Sequence, residues 1–318
     1  MIGSENKVVV RVPHRISGFF EIVDKRNGEI IKNPSEIGSR GAGFNISGIG
    51  KTTISYKELE KEDEKICSIF INKEKLDQRA ETSNFVFNYV KDLINKPVKV
   101  KIEHDFDLPV GCGYGASGSG ALGTIYGLKR LFNLNITLME VGKIAHIAEV
   151  VNKTGLGTVC GQLGGGMCVL REAGYPCNSM SITVPSSLNV ICGTLGKIET
   201  KSILSDKYLS SKIKEAGNQA LRELLASPDY LNFIKVSQKF VRNTKMLELL
   251  NLTEIKELLY DLNKLKTFGA SMNQLGRSVY CFCDDKNINN VLEILNTFKP
   301  KIQIFKLRIN REKILKTI

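Results

Sequence analysis

The segment Leu108–Leu122 has the composition of an anion-binding loop. After Pro109 it places glycines at positions 111, 113, 115, 118 and 120, interleaved with Ser117 and Ser119. Glycines let backbone N–H groups approach a polyanion, and a helix N-terminus adds unpaired donors and a favourable dipole. A glycine-rich turn that only packs a strand against a helix is the alternative. The alternation of glycines with serines favours the phosphate site.

Two polar side chains on one helix face are the next candidates. Thr137 and Glu140 form a capping box, so a helix begins there. His146 and Glu149 are three residues apart on that helix and therefore share a face. A helical histidine is usually structural and a helical glutamate usually solvated. Because both precede a second glycine-rich segment, Thr154–Gly166, the structural and functional interpretations are equally weighted.

Two further groups could bind an anion. Arg171 follows a triple glycine and is either a surface charge or a bidentate grip on a carboxylate or phosphate. Ser39 and Arg40 lie between glycines in the segment Gly38–Gly50. This composition predicts a flexible loop, which is either a hairpin connection or an anion-binding nest. The residues alone leave both choices open.

Strands and helices must position these groups. Apolar patterns predict strands over 7–12, 16–23, 49–56, 98–104, 167–172, 189–194, 277–283 and 301–309. They predict helices over 76–93, 117–132 and 288–298, from 137 to about 151, and repeatedly across 206–265. Pro13 and the next two residues are expected to end the first strand, and Lys57–Lys65 to form a solvated turn.

Length and composition indicate a two-domain globular protein. At 318 residues the chain is too long for one ordinary core. Hydrophobic residues make up 42% and charged residues 25% of it, as in soluble globular proteins. The shift after residue 186 predicts a β-rich first domain over 1–186 and an α+β second domain over 187–318.

The net charge of +12 fits an anionic substrate better than a nucleic acid. The lysines alternate with glutamates, there is no tryptophan, and no stretch combines arginines with aromatic residues. No apolar run approaches the ~20 residues that span a bilayer, and residues 1–12 lack a signal-peptide core. We therefore expect a cytoplasmic protein that binds neither nucleic acid nor membrane.

The eight cysteines show no CxxC pair and no zinc-ligand spacing. Several lie in apolar runs such as VYCFCD, where a thiol behaves as a small hydrophobic group. We expect them to be reduced and buried.

Three ordered motifs resemble those of the GHMP kinases. The loop from Pro109 to Ser119 resembles their phosphate-binding signature, and Pro13-x-Arg15…Glu21 resembles their N-terminal element. Lys266–Ser271 resembles a shortened form of their C-terminal element. The resemblance spans almost the whole chain. It implies ATP as co-substrate and an α+β two-domain fold, with a ribosomal-protein-S5-like N-terminal domain and a ferredoxin-like C-terminal domain.

Longer strings resemble the archaeal pantoate kinases within that superfamily. They are RISGFFEI, GSRGAGFNI, GCGYGASGSGALG, AHIAEV, TGLGTV and GGGMCVLREAG. The resemblance implies ATP-dependent phosphorylation of (R)-pantoate to 4-phosphopantoate on the archaeal route to coenzyme A. A GHMP kinase for homoserine, mevalonate or a sugar is one alternative, and a non-catalytic ATP-binding regulator is another.

The resemblance also implies a role for each matching residue. Ser117 and Glu149 would hold Mg²⁺, and with Arg15, which would meet the charge of the transferred phosphate, they are the implied catalytic residues. The residues that would bind the ATP phosphates are Pro109, Gly111, Gly113, Gly115, Ala116, Ser117, Gly118, Ser119 and Gly120. Those that would bind pantoate are Ser39, His146, Arg171 and Thr200, with Arg171 and His146 clamping the carboxylate.

One position departs from the family pattern. Many GHMP kinases have an aspartate near position 158 that orients or deprotonates the substrate hydroxyl, but this sequence has Thr158. Phosphoryl transfer depends mainly on positioning and charge neutralisation, so the loss of a base need not abolish it. The sequence leaves open the oligomeric state, a homodimer included, the nucleotide selectivity and feedback by coenzyme A.

Overall fold

The structure is a computed structural model that describes residues 7–60, 64–312 and 314. Its strands are β1 Lys7–Val23, β2 Lys25–Arg26, β3 Glu29–Ile30, β4 Gly38–Glu58, β5 Lys65–Ile71, β6 Glu74–Lys75, β7 Val98–Phe106, β8 Met167–Leu170, β9 Ser179–Ile182, β10 Asn189–Gly196, β11 Gly269–Asn273, β12 Arg277–Cys283 and β13 Gln303–Arg308. Its α-helices are α1 Glu81–Val90, α2 Ala116–Phe132, α3 Leu138–Asn152, α4 Thr158–Gly164, α5 Thr200–Ser205, α6 Lys207–Ala226, α7 Tyr230–Thr244, α8 Met246–Leu249, α9 Thr253–Leu262 and α10 Ile288–Asn296. Short 3₁₀ turns span Asp77–Arg79, Lys91–Leu93 and Asp285–Asn287.

The larger sheet is organised around β4. This strand pairs antiparallel with β1 along most of its length, with β7 through its second half and with β8 through its first. The path β6-β5-β7-β4-β8-β9 runs across the sheet, and β5 is parallel to β7. Helices α2 and α4 pack on β1 and β4, which brings the two glycine-rich segments to the same pair of strands.

The smaller sheet has the order β11-β12-β10-β13 and is antiparallel throughout, with α7, α9 and α10 packed against its strands. One core joins residues from both sides of position 186, with Phe44 of β4 in ring contact with Phe233, Tyr280 and Phe282. A second core is formed by residues of the first half of the chain together with Ile314. The expected α+β architecture is therefore confirmed, whereas the boundary at 186 stays a prediction.

Two predicted loops are strand instead. Pro13 does not end β1, which continues to Val23 through register shifts at Pro13/Arg15 and Ser17/Phe19. The glycine-rich segment 38–50 lies entirely within β4. A Cβ on Gly43 would lie 2.2 Å from the carbonyl oxygen of Ile16, so glycine permits close strand contact there. The small residues of this segment look like a loop in the sequence, but in the structure they allow neighbouring strands to pack closely.

The expectation that every cysteine is reduced is wrong. Cys160 of α4 and Cys177 form a disulfide, while the other six cysteines are free thiols. The chain turns back after β8, which brings residues 17 positions apart to a Cα–Cα distance of 5.3 Å. The spacing of the cysteines in the sequence does not reveal that the chain reverses direction there.

Among the described residues, none of the helices is both long and apolar enough to cross a membrane.

We expect Phe44→Ala to lower the free energy of unfolding by about 3–5 kcal/mol, because it removes a fully buried ring from the core shared by the two sheets. Urea unfolding of both proteins measures the change. Val9→Ala on β1 is the control, since Val9 is 37% exposed and should cost far less. A loss below about 1 kcal/mol for Phe44→Ala would contradict the shared core.

Candidate active site

The glycine loop ends at the N-terminus of α2, as predicted. Gly115 is the N-cap residue in a left-handed conformation, and no side chain caps the helix. Gly111 and Gly113 also have positive φ, at 80° and 86°. A Cβ on Gly113 would lie 2.7 Å from the carbonyl oxygen of Gln274. The first turn of α2 is therefore left without a capping side chain, as an anion-binding helix end requires.

A cavity of about 410 Å³ opens in front of this helix end. The predicted phosphate-binding residues that line it are Gly111, Gly113, Gly115, Ala116 and Ser117. The remaining ones do not line it. Gly118, Ser119 and Gly120 lie buried inside α2, and Pro109, at the start of the loop, is not part of the lining.

Ser117 and Glu149 meet at one side of this cavity. Ser117 donates to Oε1 of Glu149 at 2.5 Å, and Thr154 donates to the same oxygen at 3.3 Å. Glu149 is only 1% exposed, and neither Ser117 nor Thr154 bonds its Oε2. Burial raises the pKa of Glu149, and hydrogen bonds from Ser117, Thr158 and Thr154 oppose that shift. The residues thus join hydroxyl groups to a buried carboxylate.

That pair fits a magnesium ion. Mg²⁺ prefers oxygen ligands, keeps several waters, and commonly takes one or two protein groups together with substrate phosphates. Within the described ranges no three His, Cys, Asp or Glu side chains cluster as a protein-only metal site would require. The serine and glutamate therefore suit a metal bound jointly with phosphates.

Arg15 is a residue of β1, and its side chain lies buried between β4 and α4. It is 3% exposed, and its Nη1 donates to Oδ1 of Asn45 at 3.3 Å and to the carbonyl oxygen of Gly161 at 3.1 Å. It forms no ion pair with any residue that the structure describes. A buried cation is normally paired with a carboxylate. Here the positive charge is held by neutral acceptors.

A second, smaller cavity of about 40 Å³ adjoins the first. Ser39, Leu170 and the backbone of residues 155–158 line it. Arg15 and Thr158 line both cavities. The junction between the cavities is therefore where a group could pass from a molecule in one to a molecule in the other.

The four predicted substrate-binding residues occupy different places. Ser39 lines the smaller cavity and Thr200 the larger one. His146 lines neither. It is 1% exposed, its Nε2 bonds the carbonyl oxygen of Ile37 at 2.9 Å, and burial lowers its pKa.

Arg171 also lines neither cavity. It is exposed and donates through Nε and Nη2 to Oδ1 of Asn178, at 3.0 and 2.6 Å. It directly follows Leu170, which does line the smaller cavity. The structure thus does not assemble Arg171 and His146 into a clamp.

Three residues around Arg15 have no signal in the sequence. Asn45, Gly161 and Gln162 contact it or each other only because β4 and α4 meet in space. Nothing in their spacing or composition marks them as a group.

Comparison with known proteins identifies a matching family model and several relatives of this chain. The family model for the GHMP kinases N terminal domain matches residues 82–166. A pantoate kinase of Methanocaldococcus jannaschii is 32% identical over 284 residues, which are 89% of this chain and 95% of that protein. A pantoate kinase of Thermococcus kodakarensis is 28% identical, over 95% of this chain and 96% of its own.

Two solved structures have the same fold as this chain. A phosphotransferase related to the CoA biosynthesis pathway superposes with a TM-score of 0.82 at 27% identity, covering 96% of this chain and 97% of its own. A mevalonate kinase at 17% identity, with a TM-score of 0.62, shares the fold over 96% of this chain and 100% of its own. The chain therefore belongs to the pantoate kinase family of the GHMP kinases and has their α+β fold.

Proposed function

We propose that this protein transfers the γ-phosphoryl group of ATP to the 4-hydroxyl of (R)-pantoate. The observation that carries the proposal is the unpaired Arg15 guanidinium at the junction of the two cavities, beside the phosphate loop. Kinases of this family take ATP as co-substrate. The relatives that match most of the chain are named pantoate kinases, which supports pantoate as the acceptor.

The nucleotide phosphates would bind in the larger cavity against the N-terminus of α2. There the backbone amides of the first turn would donate to phosphate oxygens, with the helix dipole adding to the attraction. Ser117 and Glu149 would hold Mg²⁺, which when bound neutralises phosphate charge and fixes phosphate geometry. Arg15 would stabilise the charge on the equatorial oxygens of the transferred group.

Pantoate would bind in the smaller cavity, with its hydroxyl at the junction. Ser39, which lines that cavity, would hydrogen-bond it, and Thr158, also in the lining, would take the place of the aspartate of other GHMP kinases. A threonine hydroxyl can orient the acceptor but is no base, so the hydroxyl proton would leave late in a loose transition state and pass to an oxygen of the transferred phosphoryl group. Catalysis would then depend on positioning and on the positive charge of Arg15.

His146 and Arg171 enter the proposal in more indirect roles. The bond from His146 to the Ile37 carbonyl fixes the strand end that carries Ser39. Arg171 engages one oxygen of Asn178 with the same Nε and Nη2 fork that binds a carboxylate. Although Arg171 lines neither cavity, the carboxylate of pantoate would replace Asn178 as its partner, while Thr200 would contact the nucleotide side.

Release of ADP from the purified protein, measured with and without pantoate, tests the proposed activity. We expect pantoate to stimulate ADP release strongly, and homoserine, mevalonate and sugars to do so weakly. Stimulation by one of those alcohols in place of pantoate would assign a different GHMP kinase. Nucleotide binding with no ADP release under any acceptor would identify a non-catalytic regulator instead.

We expect Glu149→Gln to lower kcat about 100-fold and to raise the Mg²⁺ concentration needed for half-maximal activity, because the amide loses the negative charge that attracts the metal. Glu140→Gln on the same helix is the control, since glutamine still completes its capping box. Initial rates at varied Mg²⁺ measure both variants. Normal turnover and magnesium dependence in Glu149→Gln would refute the metal assignment.

The same variant should separate activity from stability. The raised pKa of Glu149 means that its protonated form stabilises the fold at low pH, and this contribution is lost as pH rises through the raised value. Glutamine does not ionise, so the Glu149→Gln variant is not destabilised as pH rises. We therefore expect its unfolding free energy near neutral pH to equal or exceed that of the wild type. Urea unfolding across the acidic to neutral range provides the comparison.

We expect Arg171→Ala to raise the KM for pantoate at least tenfold and to change the KM for ATP by less than about twofold, since the loss of a charged contact to the acceptor does not reach the nucleotide. Arg222→Ala is a matched control, because Arg222 is exposed and also donates to one asparagine oxygen, on Asn218. Equal effects of Arg171→Ala on both KM values would argue against the carboxylate contact.

A further inference from the structure

Arg15 uses only part of its hydrogen-bonding capacity. Both of its hydrogen bonds are made by Nη1, to Oδ1 of Asn45 and to the carbonyl oxygen of Gly161. Its Nε and Nη2 have no hydrogen-bond partner among the described residues. A guanidinium has five N–H donors, so three of them remain available. Because both partners are neutral, they orient the cation without cancelling its charge.

Asn45 is held so that its oxygen must face Arg15. The two residues are directly opposite in the β1–β4 register, and Asn45 is fully buried. Its Nδ2 donates to the carbonyl oxygen of Gln162 at 2.9 Å. A carbonyl oxygen only accepts hydrogen bonds, which fixes the nitrogen on that side and the Oδ1 atom on the side of Arg15.

Gln162 extends the connection to the phosphate loop. Its Nε2 donates to the carbonyl oxygens of Pro13 and Gly115, at 3.0 and 3.1 Å, and to Oγ of Ser119 at 2.8 Å. The side chain is fully buried. The carbonyl of Pro13 lies two residues before Arg15, and Gly115 caps α2. A continuous chain of hydrogen bonds therefore joins Arg15, Asn45 and Gln162 to the end of the loop.

Two glycines make the slot in which the guanidinium lies. A Cβ on Gly161 would lie 2.0 Å from Nε of Arg15, and one on Gly43 would lie 3.1 Å from Nη2. The backbone of α4 and the backbone of β4 thus close on the two sides of the group. Because the space is so narrow, Asn45 determines where the guanidinium lies. Because Asn45 is neutral, it leaves the positive charge of Arg15 uncompensated.

We propose that Asn45 is a positioning residue that holds Arg15 toward the transferred phosphoryl group while leaving its charge uncompensated, and that Gln162 ties this pair to the phosphate loop. The inference rests on the proposed function, because it gives Arg15 its phosphoryl partner. An aspartate at position 45 would have nearly the same shape but would form an ion pair with Arg15. That pair would cancel the field that the reacting phosphate requires.

The test is Asn45→Asp, compared with the wild type in the pantoate-dependent ADP-release assay. We expect kcat to fall about 100-fold, as when one charged donor to a developing anion is removed. The KM for ATP should change by less than about threefold, since the loop and the helix end still bind the phosphates. A kcat within about threefold of the wild type, in a folded variant, would overturn the proposal.

A double-variant cycle separates positioning from a structural role. If Asn45 acts through Arg15, then adding Asn45→Ser to Arg15→Gln should cause almost no further loss of kcat, because serine places no new charge beside the phosphates. Independent structural damage would instead multiply the two losses and overturn the proposal. Asn189→Asp is the control for a carboxylate placed on a buried strand, because Asn189, in β10 of the smaller sheet, also donates to a backbone carbonyl. Its carboxylate neighbour, Asp285, is paired with Arg308. We expect it to keep the wild-type kcat.

Asn45→Ser decides the matter if Asn45→Asp does not fold. It keeps Arg15 charged but removes its anchoring oxygen, so we expect a smaller fall in kcat, about tenfold, which vanishes in the Arg15→Gln background. A tenfold loss that persists in that background would overturn the proposal. Failure of the proposed function itself is distinguishable, because the wild type would then release no ADP with pantoate.

Discussion

The buried, unpaired charge of Arg15 is the constraint around which the site is arranged. Taking a guanidinium out of water is costly unless hydrogen bonds and an anion compensate it. Here β4 and α4 supply the hydrogen bonds and no carboxylate, and the group lies at the junction of two cavities. The folded protein therefore presents an unbalanced positive charge at the point where a transferred phosphoryl group would carry negative charge. Binding of the anion would complete the electrostatics of the core.

The glycines of the phosphate loop and of α2 serve two separate purposes. Gly111 and Gly113 adopt positive φ values that let the loop turn toward its ligand. Inside α2, by contrast, a Cβ on Gly123 would lie 2.2 Å from Oγ1 of Thr52, and one on Gly118 would lie 2.6 Å from Oε1 of Gln162. Those helical glycines bring α2 close to β4 and α4. Close packing, as much as ligand binding, explains why the helix accepts residues that weaken it.

The sequence allowed the phosphate loop, the capping box of α3 and the Ser117–Glu149 pair to be predicted, because each depends on local pattern or on motif resemblance. The strands over 7–12, 16–23 and 49–56 were also predicted. The continuity of β1 through Pro13 and the first part of β4 were not, since proline and glycine look like loop formers until neighbouring backbone is in place. The disulfide and the contacts of Asn45 and Gln162 depend on the return of the chain in space. The Arg171–His146 clamp, carried by resemblance, remains a prediction that the geometry does not assemble.

The most direct test of the account is ³¹P nuclear magnetic resonance of a reaction mixture containing the purified protein, ATP, Mg²⁺ and pantoate. We expect a new phosphomonoester signal, formed in equal amount with ADP. Its coupling to the two protons of the C4 methylene group would place the phosphate on the 4-hydroxyl. Formation of ADP with inorganic phosphate alone, or no change in the ATP signals, would contradict phosphoryl transfer to pantoate at the junction of the two cavities.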